Sequence, residues 1–118
     1  MKTLKVNEIF FSIQGEGHRV GTPSIFIRLS ECDLTCAYCD TNHQTGDMMS
    51  IDSIHEKIQT YTCKNILWTG GEPALQLNDE IIEYFAKKGY HNSIETNGKN
   101  RVPKGLDYIT VSPKVSLE

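Results

Sequence analysis

No stretch of this sequence is apolar for long enough to cross a bilayer. A span needs roughly 20 residues, and every hydrophobic run here is interrupted within a few positions. The opening MKTLKVNEIFFSIQGEG shows no extended apolar core followed by small residues, so it is not expected to act as a secretory leader. A cytoplasmic location is therefore expected, with no membrane partner. Basic runs are also absent: the net charge is −3 and the pI near 5.8, so no polyanion-binding surface is indicated and nucleic acid is not expected as a partner. Repeats, low-complexity tracts and linker-like stretches are lacking too, which leaves residues 1–118 as a single expected domain.

What remains is a globular composition, 38% hydrophobic and 23% charged, with chemistry concentrated in a few loops. SIFIRLS (Ser24 to Ser30) alternates at period two and reads as a strand. SIDSIHEKIQTY offers Ser50 as an N-cap and sets Ile51, Ile54 and Ile58 on one helical face. KNILWTGGEP reads as a second strand ended by a Gly-Gly pair that frees the backbone for positive φ. In LNDEIIEYFAKKGY, Asn78 caps, acids fill the first turn, lysines the last, and Gly89 closes a second helix. NSIETNG and YITVSPK supply a third and a fourth strand. This alternation predicts an α/β fold with a parallel sheet, in which the loops after the four strands converge on one site.

The loop after the first strand holds three of the four cysteines, Cys32, Cys36 and Cys39, spaced C-x3-C-x2-C. Three thiolates so close can surround one iron–sulfur cluster, leaving one iron of a 4Fe–4S cubane open for a ligand. They can equally join His43 in a Cys3His zinc tetrahedron, and spacing alone leaves both open. Cys63 stands apart and reads as a small buried hydrophobe.

C-x3-C-x2-C with Tyr38 before the last cysteine, followed by TGGEP (Thr69 to Pro73), resembles the cluster loop and GGE motif of the radical S-adenosylmethionine superfamily. QGEG (Gln14 to Gly17), GTPSIFIRL, CDT, ETNG and VSPK occur in the order in which they stand in the 7-carboxy-7-deazaguanine synthases, and the chain resembles that family over essentially its whole length. The resemblance implies a partial (β/α) barrel, roughly its first four parallel strands plus an N-terminal extension. It also implies a 4Fe–4S cluster, S-adenosylmethionine and Mg2+ as cofactors. The implied reaction is the radical ring contraction of 6-carboxy-5,6,7,8-tetrahydropterin to 7-carboxy-7-deazaguanine with loss of ammonia, a carbon–nitrogen lyase step of queuosine biosynthesis. Another radical enzyme, such as a glycyl-radical activase, and the zinc module remain as alternatives.

The same resemblance assigns roles. Cys32, Cys36 and Cys39 hold the cluster, and Thr41 gives a hydroxyl oxygen to Mg2+, a hard cation. Tyr38, Cys39, Asp40, Gly71, Ser112, Pro113 and Lys114 contact S-adenosylmethionine. Ile13, Gln14, Gly15, Glu16, Arg28, Thr69 and Glu95 contact the pterin, with Arg28 taking its carboxylate as a bidentate partner. No side chain is implied as an acid or base, because the chemistry belongs to the cofactor, and a reductant such as flavodoxin is the implied electron source. Glu72 is left between two roles, since a carboxylate at this position can organise the loop rather than touch a ligand. Family members continue beyond VSPK, so the chain is expected to be a truncated piece with reduced turnover. Its open edge at YITVSP predicts edge pairing or a homodimer.

Overall fold

The computed structural model describes residues 3–14, 21–30, 47–98 and 101–111. They form one six-stranded sheet with strands β1 (Thr3–Ile13), β2 (Pro23–Leu29), β3 (Asp47–Ser50), β4 (Asn65–Gly70), β5 (His91–Thr96) and β6 (Tyr108–Val111). The helices α1 (Ile51–Ile58) and α2 (Asp79–Lys87) precede β4 and β5, and a 3-10 turn covers Pro73–Leu75. The strand order is β3-β1-β2-β4-β5-β6. The four strands read from the sequence, β2, β4, β5 and β6, are mutually parallel. The N-terminal extension is itself a strand: β1 runs antiparallel to both β2 and β3.

β1 was not visible as a strand in the sequence, and a β-bulge accounts for this. Leu4 and Val6 are buried, yet the register slips between Val6 and Glu8, so beyond the slip it is Ile9 that packs on the core. One extra residue exchanges the two faces of a strand. Glu8 and Phe10 thereby turn to the opposite face, beside Arg28 and Phe26.

The core lies on one face only. Ile25, Ile27 and Leu29 of β2, Ile66 and Trp68 of β4 and Ile94 of β5 pack with Ile51, Ile54 and Ile58 of α1 and with Ile81, Ile82 and Phe85 of α2. Burying each such side chain contributes about 1.5–3 kcal/mol. The Trp68 indole N–H donates to Asn92 Oδ1 at 3.0 Å, which satisfies a polar pair that is wholly inside this layer. Both helices start as their caps dictate. Ser50 Oγ accepts from the Ser53 N–H at 3.1 Å and Asn78 Oδ1 from the Ile81 N–H at 2.9 Å. Gly89, at φ 93°, ends α2 while Tyr90 N–H returns to the Phe85 carbonyl. Helices on one face of a parallel sheet are the arrangement of a (β/α) barrel wall, whereas a doubly wound sheet has both faces covered.

Candidate cofactor and substrate site

The face without helices carries the polar residues. Strand register sets Arg28 beside Thr69, and Thr69 lies one strand from Glu95 on the same side. The Thr69 hydroxyl donates to Glu95 Oε1 at 2.9 Å. A buried threonine, 7% exposed, thus orients a half-buried carboxylate close to the C-terminal ends of β4 and β5. Arg28 is less enclosed than a barrel interior would make it: its side chain is 43% exposed. Its Nε lies 3.4 Å from Glu8 Oε1 and its guanidinium 5.7 Å from the Phe10 ring centroid. The carboxylate partner found for Arg28 therefore belongs to β1, placed there by the bulge.

The loop after β4 is built around Gly70. At φ 120° its backbone lies against β2 so closely that a Cβ would meet the Leu29 carbonyl oxygen at 2.0 Å. Only glycine fits there. Of the Gly-Gly pair only Gly70 takes positive φ. Gly71 follows, solvent-exposed, with its N–H donating to the Leu29 carbonyl at 3.0 Å. Glu72 then turns inward and is 4% exposed. Its carboxylate accepts from the Ala74 N–H at 3.1 Å, the Asn97 N–H at 2.8 Å and the Thr96 hydroxyl.

Arg28, Thr69, Gly71 and Glu95 thus gather near the C-terminal ends of the parallel strands. Ile13 and Gln14 do not join them. β1 is antiparallel, so its end lies beside Pro23, at the start of β2. Ile13 is 60% exposed there and shares the face of Phe11, which stacks on Tyr61. Gln14 is buried and donates through Nε2 to Ser24 Oγ at 2.8 Å. Gly15, Glu16, Cys32, Cys36, Tyr38, Cys39, Asp40, Thr41, His43, Ser112, Pro113 and Lys114 lie outside the described residues. Cys63 is partly buried, with its Sγ accepting from the Asn65 N–H at 3.3 Å where the chain enters β4.

Two contributors carried no signal in the sequence. The side chain of Gln76 behaves like a strand partner: the Lys5 N–H donates to its Oε1 at 2.8 Å and its Nε2 donates to the Lys5 carbonyl at 3.3 Å. That carbonyl also accepts from the Ser30 N–H at 3.0 Å, so one peptide of β1 ties the end of β2 to the segment after the β4 loop. Thr96 acts in the middle of a short relay, accepting from the Gly98 N–H while donating to Glu72. Neither a glutamine nor a threonine at a strand end announces such a role.

A sequence model of the radical SAM superfamily matches residues 27–112. The chain belongs to the radical SAM superfamily. Its relatives include the 7-carboxy-7-deazaguanine synthase of Bacteroides thetaiotaomicron, 44% identical over 97% of this chain and 63% of that protein. The synthase of the same name from Neisseria meningitidis is 42% identical over 93% of this chain and 52% of that protein. The crystal structure of QueE from Escherichia coli superposes with a TM-score of 0.81 at 31% identity, covering 97% of this chain and 61% of that one. The radical SAM chain thus spans about half to two thirds of the length of the relatives it matches.

Membership implies a 4Fe–4S cluster and S-adenosylmethionine. Among the described residues no three His, Cys, Asp or Glu side chains converge as a metal site, and the donor set that suits iron–sulfur chemistry is the C-x3-C-x2-C run. That run begins two residues beyond Ser30. The Leu29 and Ser30 end of β2 is the one to which Gly71 is hydrogen-bonded. No helix among the described residues is long and apolar enough to cross a membrane.

Proposed function

We propose that this radical SAM chain works as a 7-carboxy-7-deazaguanine synthase, contracting the ring of 6-carboxy-5,6,7,8-tetrahydropterin to 7-carboxy-7-deazaguanine with loss of ammonia. The observation that carries this reading is the row formed by Arg28, Thr69 and Glu95 on the helix-free face. A guanidinium suits the carboxylate of the pterin. A carboxylate held by a hydroxyl suits the donor edge of its aminopyrimidinone ring. The identity to synthases over nearly the whole chain supports the same assignment.

In this reading Cys32, Cys36 and Cys39 would hold the cluster, which would supply one-electron chemistry to S-adenosylmethionine bound beside it. Tyr38, Cys39, Asp40, Gly71, Ser112, Pro113 and Lys114 bind S-adenosylmethionine, and Thr41 offers its hydroxyl to Mg2+. Gly15 and Glu16 are assigned to pterin binding, whereas Ile13 and Gln14, set at the start of β2, are kept out of the row at its far end. Arg28 orients the substrate by its carboxylate, exchanging Glu8 for it, while Thr69 keeps Glu95 aimed at the ring edge. A flavodoxin-type reductant and a cytoplasmic location belong to the same proposal. Pairing through β6 belongs to it as well. Among the described residues this strand lies at one side of the sheet with Tyr108, Ile109 and Val111 exposed, and an exposed apolar edge favours association.

The test is anaerobic reconstitution with iron and sulfide, then incubation with the pterin, S-adenosylmethionine, Mg2+ and dithionite. Formation of 7-carboxy-7-deazaguanine, lost in Cys36→Ala together with the cluster absorbance, is the expected result. A protein that loads zinc in place of the cluster, or that cleaves S-adenosylmethionine without consuming pterin, would sink the proposal.

A further inference from the structure

Glu72 is a buried carboxylate with no cation within ion-pair distance among the described residues. A carboxylate so placed is tolerated only where hydrogen bonds replace water. All three of its partners are donors, and they come from two loops. Ala74 lies on its own loop after β4; Thr96 and Asn97 belong to the end of β5. The two residues flanking this clasp are the ones to which the proposed function gives different ligands. Gly71, immediately before Glu72, faces the cofactor; Glu95, immediately before Thr96, faces the pterin.

We infer that Glu72 is a positioning residue that couples the cofactor loop to the substrate loop, so that filling one site steadies the other. The inference rests on the proposed function for the identity of the two ligands. The chemistry demands glutamate in particular. Oε2 accepts from Ala74 and Thr96 and Oε1 from Asn97, so a glutamine in either orientation sets its NH2 group against a backbone N–H. An acceptor lost from a buried N–H costs the whole desolvation of that group. The Thr96 hydroxyl is equally specific, since it donates to Glu72 while accepting from Gly98. Valine keeps the shape of that side chain and removes both bonds.

Coupling between sites is reciprocal and is read as a change in affinity. In the wild-type protein, reconstituted with its cluster, S-adenosylmethionine should slow amide hydrogen exchange at Asn97 and Gly98 as well as at Gly71. Saturating pterin should tighten S-adenosylmethionine by about fivefold or more. In Glu72→Gln the protection at Gly71 persists, that at Asn97 and Gly98 is lost, and the affinity gain falls to about onefold. KM should rise for both ligands by more than kcat falls. Thr96→Val should lie between, and Thr96→Ser should restore the wild-type response. The inference is overturned if Glu72→Gln raises KM for S-adenosylmethionine alone, or if Asn97 and Gly98 respond to it as in the wild type. Should the wild type bind S-adenosylmethionine but not the pterin, the proposed function fails. The exchange of Asn97 and Gly98 on adding S-adenosylmethionine then decides the clasp by itself.

Discussion

The two faces of the sheet contrast in what holds them. The helix-covered face is mostly apolar and buried, and its innermost polar pair, Trp68 with Asn92, is satisfied by the bond between the two and by a further bond from Asn92 to the Ile82 carbonyl. The other face exposes Arg28 to 43% and sets charged and hydroxyl groups side by side along the register. Adjacent residues of β4 show the division best: Trp68 points one way into the core, Thr69 the other way toward Glu95. A strand two residues apart in period can therefore serve stability on one side and chemistry on the other, with little cost of one to the other.

That division can be broken most forcefully at Trp68. Trp68→Ala should lose about 3–5 kcal/mol in urea unfolding, whereas Thr69→Val should lose about 1 kcal/mol and, under the proposed function, raise the pterin KM about tenfold. Comparable destabilisation by the two substitutions would show that the faces are not divided. Next comes Gly70, where stability and site meet. Gly70→Ala should cost about 2–4 kcal/mol, because positive φ and a Cβ 2.0 Å from Leu29 O oppose it together. Its thermal unfolding midpoint, compared with that of Gly71→Ala, isolates the effect, since Gly71 has ordinary φ.

The smallest effect sharpens the covered side. His55 of α1 faces Tyr84, Phe85 and Tyr90, with Tyr84 OH donating to Asp52 Oδ1 at 2.6 Å. Burial, then Lys88 and Lys64, hold its pKa below the ordinary 6.5, and Asp52 opposes them. The unfolded chain binds that proton more readily. The stabilisation is therefore present above pH about 6.5 and is lost as pH falls through the lowered folded value. Unfolding free energy should decline more steeply between pH 7 and pH 5 in the wild type than in His55→Gln. Equal slopes would remove His55 from the account.

The covered face was legible in the sequence because its pattern is local. Ile51, Ile54 and Ile58 repeat at helical spacing, and both N-caps sit where Ser50 and Asn78 predict. β1 was hidden for a local reason too: its alternation changes phase at Asn7, so no single period describes it. The four-residue β3 has too little pattern to show. In the site, motif resemblance singled out Arg28, Thr69, Gly71 and Glu95, which the sheet gathers near one end. It could not supply Glu8 as the partner of Arg28, or Thr96 and Asn97 as those of Glu72, since these contacts join residues 20 to 25 positions apart. Spacing along a chain carries no information about pairings made by tertiary register.

The bulged strand β1 has one more effect. Residues 31–46, which contain the three clustered cysteines, leave from Ser30 and return at Asp47, and both ends are fastened to the same short stretch of β1: Ser30 to Lys5, and Asp47 opposite Val6. With one strand between them, the two ends stand about 10 Å apart. Both anchor points are main-chain pairings of β1 and need no metal, so the two ends of the cysteine-bearing segment are held at one separation whether or not anything is bound between them.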